Sequence, residues 1–333
     1  MKAQHFIDDL ADAIQKDAHL DEAARNTIYR NLARLKDTKV NLLITGATGC
    51  GKSSTINALF NTDKAKVGQG VDPETMEIAR YELDNIVLFD SPGLGDGKEA
   101  DIRHARNITA KLAELDEHGE PLIDLVLVIL DGSSRDLGTS FELISQVIIP
   151  ALNGEHKRLL VAINQADMAM KGRHWDKGRN QPEPELVKFL EEKVTSTKRR
   201  IKEATGVDVE PIYYAAGYKE ASDAQNPYNL SKLLLHILRH TKAQKRAVFI
   251  QDVNVDEQMW KDDDRLEDYR KEISISVLES IRDGASAGAD LGAQAGKAID
   301  RLLGGKFGGV AEAAGRIIGG VGGAIFGLFK SIF

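Results

Sequence analysis

Hydrophobic and polar positions follow two different rhythms along this chain. Over residues 1–37 the apolar side chains fall at helical spacing: Phe6, Leu10 and Ile14, then Ala24, Ile28, Leu32 and Leu35. This spacing makes an amphipathic face and predicts an N-terminal helical segment packed on the body that follows. From Val40 the rhythm changes to short apolar runs: Val40–Ile44, Asn85–Phe89, Asp124–Leu130, Leu159–Ile163 and Ile212–Ala216. Such runs read as strands buried on both faces. Glu77–Leu83 reads as a further strand, and Leu137–Leu152 and Glu183–Thr205 fit crossover helices. The alternation predicts an α/β fold with a doubly wound, mostly parallel sheet. From Asn229 to Asp283 the chain reads as helix-forming, with Leu230, Leu233, Leu234, Ile237 and Leu238 on one face. Asp262, Asp263 and Asp264 mark a helix start or a loop within it.

The last fifty residues keep a third rhythm. Gly284, Gly288, Gly292 and Gly296 recur in steps of four, and Gly315, Gly319, Gly323 and Gly327 repeat the pattern. On a helix each set forms a groove that lets a second helix approach closely. In water such glycines cost about 1 kcal/mol each relative to alanine, so something must pack against them. The second set lies in a run of 13 apolar or glycine residues, Ile317–Phe329. A bilayer span needs about 20. The pattern fits interfacial insertion, with Phe326, Phe329 and Phe333 buried in lipid and Arg316 and Lys330 flanking. Soluble self-association into a homo-oligomer and packing on the chain's own body are the alternatives. The expected organisation is a helical segment (1–37), an α/β domain (38–242), a helical extension (243–283) and an all-helical glycine-zipper tail (284–333).

Composition narrows the function. The 333 residues suffice for about two domains. With 42% hydrophobic and 29% charged residues, disorder throughout is excluded. The net charge of -7 argues against a general nucleic-acid binder. It is unevenly spread, since the tail carries +2. Cys50 is the only cysteine, which excludes an intrachain disulfide framework and a Cys-rich zinc site. The first residues lack the pattern of a secretory signal. The expected location is a reducing cytoplasm, with the tail peripheral to or inserted at the inner membrane.

Chemistry enters at the end of the first apolar run. Gly46-Ala-Thr-Gly-Cys-Gly-Lys-Ser53 is G-x-x-x-x-G-K-S set between a strand and a helix, the context of a phosphate-binding loop. Glycines let successive N–H groups turn inward around phosphate oxygens, and the helix N-terminus adds its partial positive charge. Gly46, Thr48, Gly49, Cys50, Gly51, Lys52, Ser53 and Ser54 are therefore candidate nucleotide-binding residues. Lys52 would reach the β- and γ-phosphates and Ser53 would ligate Mg²⁺. Asp90-Ser-Pro-Gly93 ends a later strand. Asp90 can hold Mg²⁺ there, and the Gly93 N–H can meet a γ-phosphate and move when it leaves. Asn164-Gln165-Ala-Asp167 ends another strand. Its Asp167 carboxylate matches the N1–H and N2–H pair of guanine, which adenine lacks. Ala215 and Ala216 can offer a backbone N–H to the base O6. Thr75, in Asp72-Pro-Glu-Thr75, is the candidate switch threonine and a further Mg²⁺ ligand.

The set GATGCGKS, DSPG, NQAD and YAA resembles the Era-like branch of translation-factor-related P-loop GTPases. Its first stretch looks most like bacterial HSR-type GTPases and is also similar to immunity-related and chloroplast-import GTPases. The resemblance covers roughly Thr38 to Lys242. It implies GTP and GDP as ligands, Mg²⁺ as cofactor, hydrolysis of GTP, and Lys52, Thr75 and Gly93 as the groups that carry it. Gln165 stands where that family has Lys, so the guanine ring would be covered without charge. Gly49 stands where some members place a K⁺-binding Asn. Leu94 follows the DSPG turn where Ras-type enzymes have a water-orienting Gln, which implies slow intrinsic hydrolysis. Gln69, His104, Arg135, Asp136 or a residue of a second copy would complete the site.

Other residues draw weaker readings. His236 and His240 are four apart, a metal-ligand spacing whose ordinary explanation is a partly exposed helix face. Lys198–Lys202 and Lys242–Arg246 are basic clusters that read as solvated helix faces. The expectation is a GTPase acting as a nucleotide switch coupled to membrane association or assembly. A ribosome- or RNA-linked assembly factor and a GTP-gated polymer or pore are the alternatives.

Overall fold

The computed structural model describes residues 6–60, 66–68, 78–93, 97–219, 224–264, 266–286 and 298. The glycine-rich tail beyond these, Thr75, Gln69 and Leu94 lie outside the described residues. In chain order the elements are α1 (Phe6–Gln15), α2 (Glu22–Asp37), β1 (Val40–Gly46), α3 (Lys52–Leu59), β2 (Lys66–Gly68), β3 (Ala79–Glu82), β4 (Ile86–Asp90) and α4 (Lys98–Ala113). Then come β5 (Leu125–Asp131), α5 (Gly138–Glu142), α6 (Ile149–Ala151), β6 (Leu159–Asn164), β7 (Trp175–Asp176), β8 (Gln181–Pro182) and α7 (Pro184–Thr205). The chain continues through β9 (Ile212–Tyr213), β10 (Tyr218–Lys219), β11 (Ala224–Gln225), α8 (Leu230–His240), α9 (Phe249–Asp252) and α10 (Leu266–Ser286).

Seven strands form one sheet in the order β2-β3-β4-β1-β5-β6-β9. β1 pairs in parallel with β4 and β5, and β6 in parallel with β5 and β9. At one edge the β2–β3 and β3–β4 pairings are antiparallel, so β3 alone runs against the other six strands. The α/β, mostly parallel arrangement expected from the sequence is the one observed. The apolar runs have the composition they do because both faces are covered. In β1, Leu42 and Ile44 join a cluster with α2, α3, α8 and α10, while Leu43 points to a second cluster with α4 and α7. That is the period-two alternation of a strand between two layers.

The helix expected over Leu137–Leu152 runs without a break from Gly138 to Ala151, but a wide π-helical stretch (Leu143–Ile148) separates α5 from α6. Pro150 explains this. It has no N–H to donate, and its ring crowds the carbonyl four residues back, so the preceding turn widens. The last strand is also shorter than Ile212–Ala216, because Ala215 leaves the sheet to pair with Tyr228.

The N-terminal segment is a helical hairpin. Asp21 caps α2 by accepting from the Ala24 N–H at 2.7 Å, and Leu10, Ile14, Ile28 and Leu32 are buried. α10 packs across α2 and α8, and Gly284 in its last turn lies against Leu35. Between α8 and α10 the chain forms a strap that starts at the sheet end remote from the strand C-termini and returns to the end of β9, where the Asn229 N–H donates to Asp262 O at 2.8 Å. The Asp252 carboxylate, buried in this strap, accepts three backbone N–H groups, from Asp84 (3.0 Å), Asn85 (2.7 Å) and Ile86 (2.7 Å). Val253 bridges Phe60, the Asn254 N–H donates to Leu59 O at 2.8 Å, and the buried Trp260 indole donates to Asn254 O at 2.9 Å. The strap therefore holds the end of α3 and the β3–β4 turn together. Asp252→Ala leaves three N–H donors without an acceptor, and chemical denaturation should show a loss of about 3 kcal/mol.

His236 is buried, against the exposed helix face expected for it. α8 is packed between the sheet and α10, which leaves little of its surface in solvent. Burial, with help from the charges of His240, Arg239 and Lys232, pushes the His236 imidazole down to about 3. The neutral ring is thus favoured in the folded state. Its contribution to stability is complete above the unfolded value of about 6.5 and is lost as pH falls below that value toward 3. The Tm advantage of the parent over His236→Leu should therefore shrink steadily between pH 7 and pH 4. A constant difference across that range would contradict the buried neutral imidazole.

Candidate functional site

The phosphate loop forms where β1 stops. Gly51, with φ +88°, turns the chain into α3, and a Cβ there would stand 2.3 Å from Asn164 Nδ2. Any side chain at Gly51 would thus break both the turn and the contact behind it. The Lys52 ammonium lies 3.3 Å from both Gly46 O and Ala47 O. Thr48, Gly49, Ser53 and Ser54 are exposed along the loop, whereas Cys50 is fully buried beneath it. Burial pushes the Cys50 thiol up to about 11, although Lys52 pulls the other way. Cys50 is thus a packing residue beneath the loop. On the far side of α3, Thr55 Oγ1 and Tyr214 OH share a buried hydrogen bond of 2.7 Å that ties the helix to the end of β9.

β4 delivers Asp90 beside this loop. Asp90 is half-buried, and its Oδ1 is buried without a hydrogen-bond partner. Burial raises its carboxyl above the ordinary range, opposed by the Lys52 charge. The next residue locks strand to strand, since Ser91 Oγ donates to Thr45 Oγ1 at 2.8 Å. Gly93 presses on the phosphate loop so closely that a Cβ would sit 2.2 Å from Thr48 Oγ1 and 2.5 Å from Thr48 N. His104, buried on α4, places Nδ1 3.2 Å from Gly93 O. It is therefore a contact of the turn backbone.

The base-reading end is assembled by Asn164. Its side chain donates to Cys50 O (2.9 Å) and accepts from the Ala216 N–H (2.9 Å), while its carbonyl accepts from the Gly132 N–H (2.7 Å). Gln165, with φ +58°, donates to Gly49 O at 2.7 Å. Asp167 is buried, and burial lifts its carboxyl above the usual range. The Ala216 N–H, expected at the base, is already engaged by Asn164, and the Ala215 N–H donates to Tyr228 O at 3.0 Å. The next backbone donor in the turn is that of Gly217. Sequence motifs alone missed Thr45, Ser91 and Tyr214, because their roles depend on which hydroxyls the sheet brings together. They also missed Lys193 of α7, which donates to Gly132 O (2.7 Å) and Ser134 O (2.6 Å) and so holds the loop after β5. Arg135 and Asp136 are exposed on that loop, where Asp136 caps the Gly138 N–H.

Both basic clusters are neutralised locally. Lys198 pairs with Glu210, Lys202 with Asp208 and Arg199 with Glu203, and Arg200 lies over the Phe141 ring. Lys242 pairs with Glu120, Lys245 with Asp124, and Arg246 donates to Thr241 O. Among the described residues, metal-capable side chains gather at His174, Glu183 and Glu185, all exposed. Two of these sit at the N-terminus of α7, whose dipole disfavours a cation. His236 and His240 acquire no third ligand among the described residues.

This geometry defines a class. Residues 41–165 match the family described as 50S ribosome-binding GTPase, and the matched stretch runs from β1 through the phosphate loop and Asp90–Gly93 to Gln165. The chain therefore carries a P-loop GTPase domain, a family that binds GTP and GDP, normally with Mg²⁺. The chain is similar to the uncharacterized protein YkfA of Escherichia coli K12, with 31% identity over 46% of this chain and 50% of that protein. It is also similar to GTPase Der of Rickettsia prowazekii, with 25% identity over 50% of this chain and 36% of that protein. The chain thus spans half or less of these relatives. Among solved structures, the G domain of the Thermotoga maritima FeoB iron transporter overlaps 61% of this chain and 98% of its own, at 20% identity and TM-score 0.34. Toc33 of Arabidopsis thaliana overlaps 73% and 98%, at 15% identity and TM-score 0.42. Overlaps at these scores carry no inference about activity.

The thiol offers a direct check of the packed loop. Cys50 in the native protein should react with an aromatic disulfide reagent at pH 8 at least about 100-fold more slowly than in denaturant. Equal rates would contradict the buried position.

Proposed function

We propose that this protein binds GTP with Mg²⁺, hydrolyses it to GDP and phosphate, and works as a nucleotide switch coupled through its tail to membrane association or assembly. The observation that carries the first part is the convergence of Lys52, Asp90, Gly93, Asn164 and Asp167 at the C-terminal ends of neighbouring parallel strands. Ligands of open α/β sheets bind at those ends. Lys52 neutralises charge on the β- and γ-phosphates, the Gly93 N–H faces the γ-phosphate, and the Asp167 carboxylate selects guanine. A hard cation fits the donor set, because Asp90 Oδ1 is a buried acceptor with no partner and the Ser53 side chain is exposed. Ser53, Asp90 and Thr75 would hold the ion, which supplies neutralisation of phosphate charge when bound. Leu94 cannot orient water, so intrinsic hydrolysis is slow.

The second part rests on sequence pattern and on where the tail begins. α10 is packed into the body, and its last turn already contains Gly284, the first glycine of the four-residue steps. No described helix is long and apolar enough to cross a membrane. The pattern of Gly284–Phe333 favours an interfacial or helix-pairing role. A ribosome-linked role is the second reading, favoured by the description of the matching family. The acidic body weighs against it.

Phosphate release by the full-length protein with GTP and Mg²⁺ should be slow and should fall by about 10²-fold or more in Lys52→Ala. Liposome flotation tests the coupling. The full chain should float and a truncation ending at Asp283 should not, with different fractions floating in GDP and in a non-hydrolysable GTP analogue. Failure of the full chain to float sinks the membrane reading, and sedimentation with ribosomal subunits would replace it with the second.

A further inference from the structure

The wall of the base pocket contains a polar group that belongs to no phosphate or base motif. After Ala216 the chain turns at Gly217 into the β10–β11 hairpin, where Gln225 pairs with Tyr218. The hairpin is anchored by the Ala215–Tyr228 bridge on its other side, so the position of Gln225 is fixed from both ends. The Gln225 Nε2 donor is buried and completes no hydrogen bond of full geometry. It lies within hydrogen-bonding reach of the Asp167 carboxylate and already helps hold that carboxyl down against the effect of burial. Asp167 has few other supports. Its own N–H and that of Met168 favour its charged form, and no cation does. Gln165 stands where the resembled GTPases have a Lys, and its amide is committed to Gly49 O.

Rotation of an Asp carboxylate about its last torsion is soft, so neighbouring donors decide its plane. A carboxylate that reads guanine must present one oxygen to N1–H and the other to N2–H at the same time. We propose that Gln225 is a specificity-determining residue of this pocket, donating its carboxamide N–H to Asp167 when a base is bound and holding the carboxylate in the plane that guanine requires. This rests on the guanine-nucleotide reading above. Gln225 is a positioning residue, acting on the base through Asp167. Its incompletely bonded donor fits this role, since a buried amide is stable only once an acceptor turns toward it.

The distinction between guanine and hypoxanthine tests it. Hypoxanthine keeps N1–H and O6 but lacks the N2 amine, so a misaligned Asp167 loses two hydrogen bonds to GDP and one to IDP. Binding is read on the full chain by displacement of a fluorescent GDP with unlabelled GDP, IDP and ADP. The parent should prefer GDP over IDP and ignore ADP. Gln225→Ala and the volume-matched Gln225→Met should weaken GDP about 10-fold and IDP about 3-fold, so that the GDP/IDP ratio falls. Gln225→Glu, which sets a second carboxylate beside Asp167, should weaken GDP further. Circular dichroism of Gln225→Met establishes that the hairpin is intact. Equal weakening of GDP and IDP would mean that Gln225 acts on O6 or on the fold, and would overturn the proposal. Unchanged affinities would do the same. A parent that binds ADP as well as GDP would overturn the guanine reading itself, and this proposal with it.

Discussion

The buried Asn164 carboxamide joins stretches that lie far apart in sequence. It is 2% exposed, and it contacts the phosphate loop at Cys50 and the end of β9 at Ala216, while its own carbonyl receives Gly132 from the loop after β5. Its side-chain nitrogen and its side-chain oxygen are each engaged by a backbone group. A substitution that removed the amide would leave a buried carbonyl and a buried N–H unpaired at once. The glycine at position 51 is required partly by this residue, because a Cβ there would strike its nitrogen. The phosphate-binding and base-reading ends of the pocket are therefore one rigid assembly.

Around that fixed assembly the other contacts divide into two kinds. Ser91 with Thr45 and Thr55 with Tyr214 are hydroxyl pairs closed inside the protein, and they set distances between strand and loop or helix and strand. Lys52 on two carbonyls, Gly93 on Thr48 and the lone oxygen of Asp90 are contacts that a phosphate and its cation would rearrange. The first kind makes the frame and the second makes the response. Preorganised donors on a stiff frame are the arrangement that stabilises developing phosphate charge without reorganisation.

Much of this was legible before the coordinates. The apolar runs announced the strands because a sheet covered on both faces leaves no polar position in its interior. The phosphate loop was legible because glycine, lysine and serine at that spacing have a mechanical meaning. What sequence concealed were consequences of packing. His236 looked partly exposed because half of α8 is polar, but the helix is enclosed between the sheet and α10. The π-helical widening before Ala151 follows from one proline whose effect is felt four residues earlier. The Ala216 N–H was expected at the base, but Asn164 reaches it first. Gln225 carries no motif, and it became visible once the hairpin set its donor beside Asp167.

The strap from Phe249 to Trp260 has an evolutionary consequence. By its motifs, the nucleotide-binding unit ends near Lys242, and a recombination event could cut there. Such a cut would strip the acceptor from three N–H groups of the β3–β4 turn and uncover Phe60 and Leu59. The nucleotide-binding unit and its C-terminal extension thus share a hydrogen-bonded seam, and a cut through it would damage both. An exchange of the tail for another effector would have to splice beyond α10, because its Tyr269, Ile273, Val277 and Ile281 still belong to the core of the body.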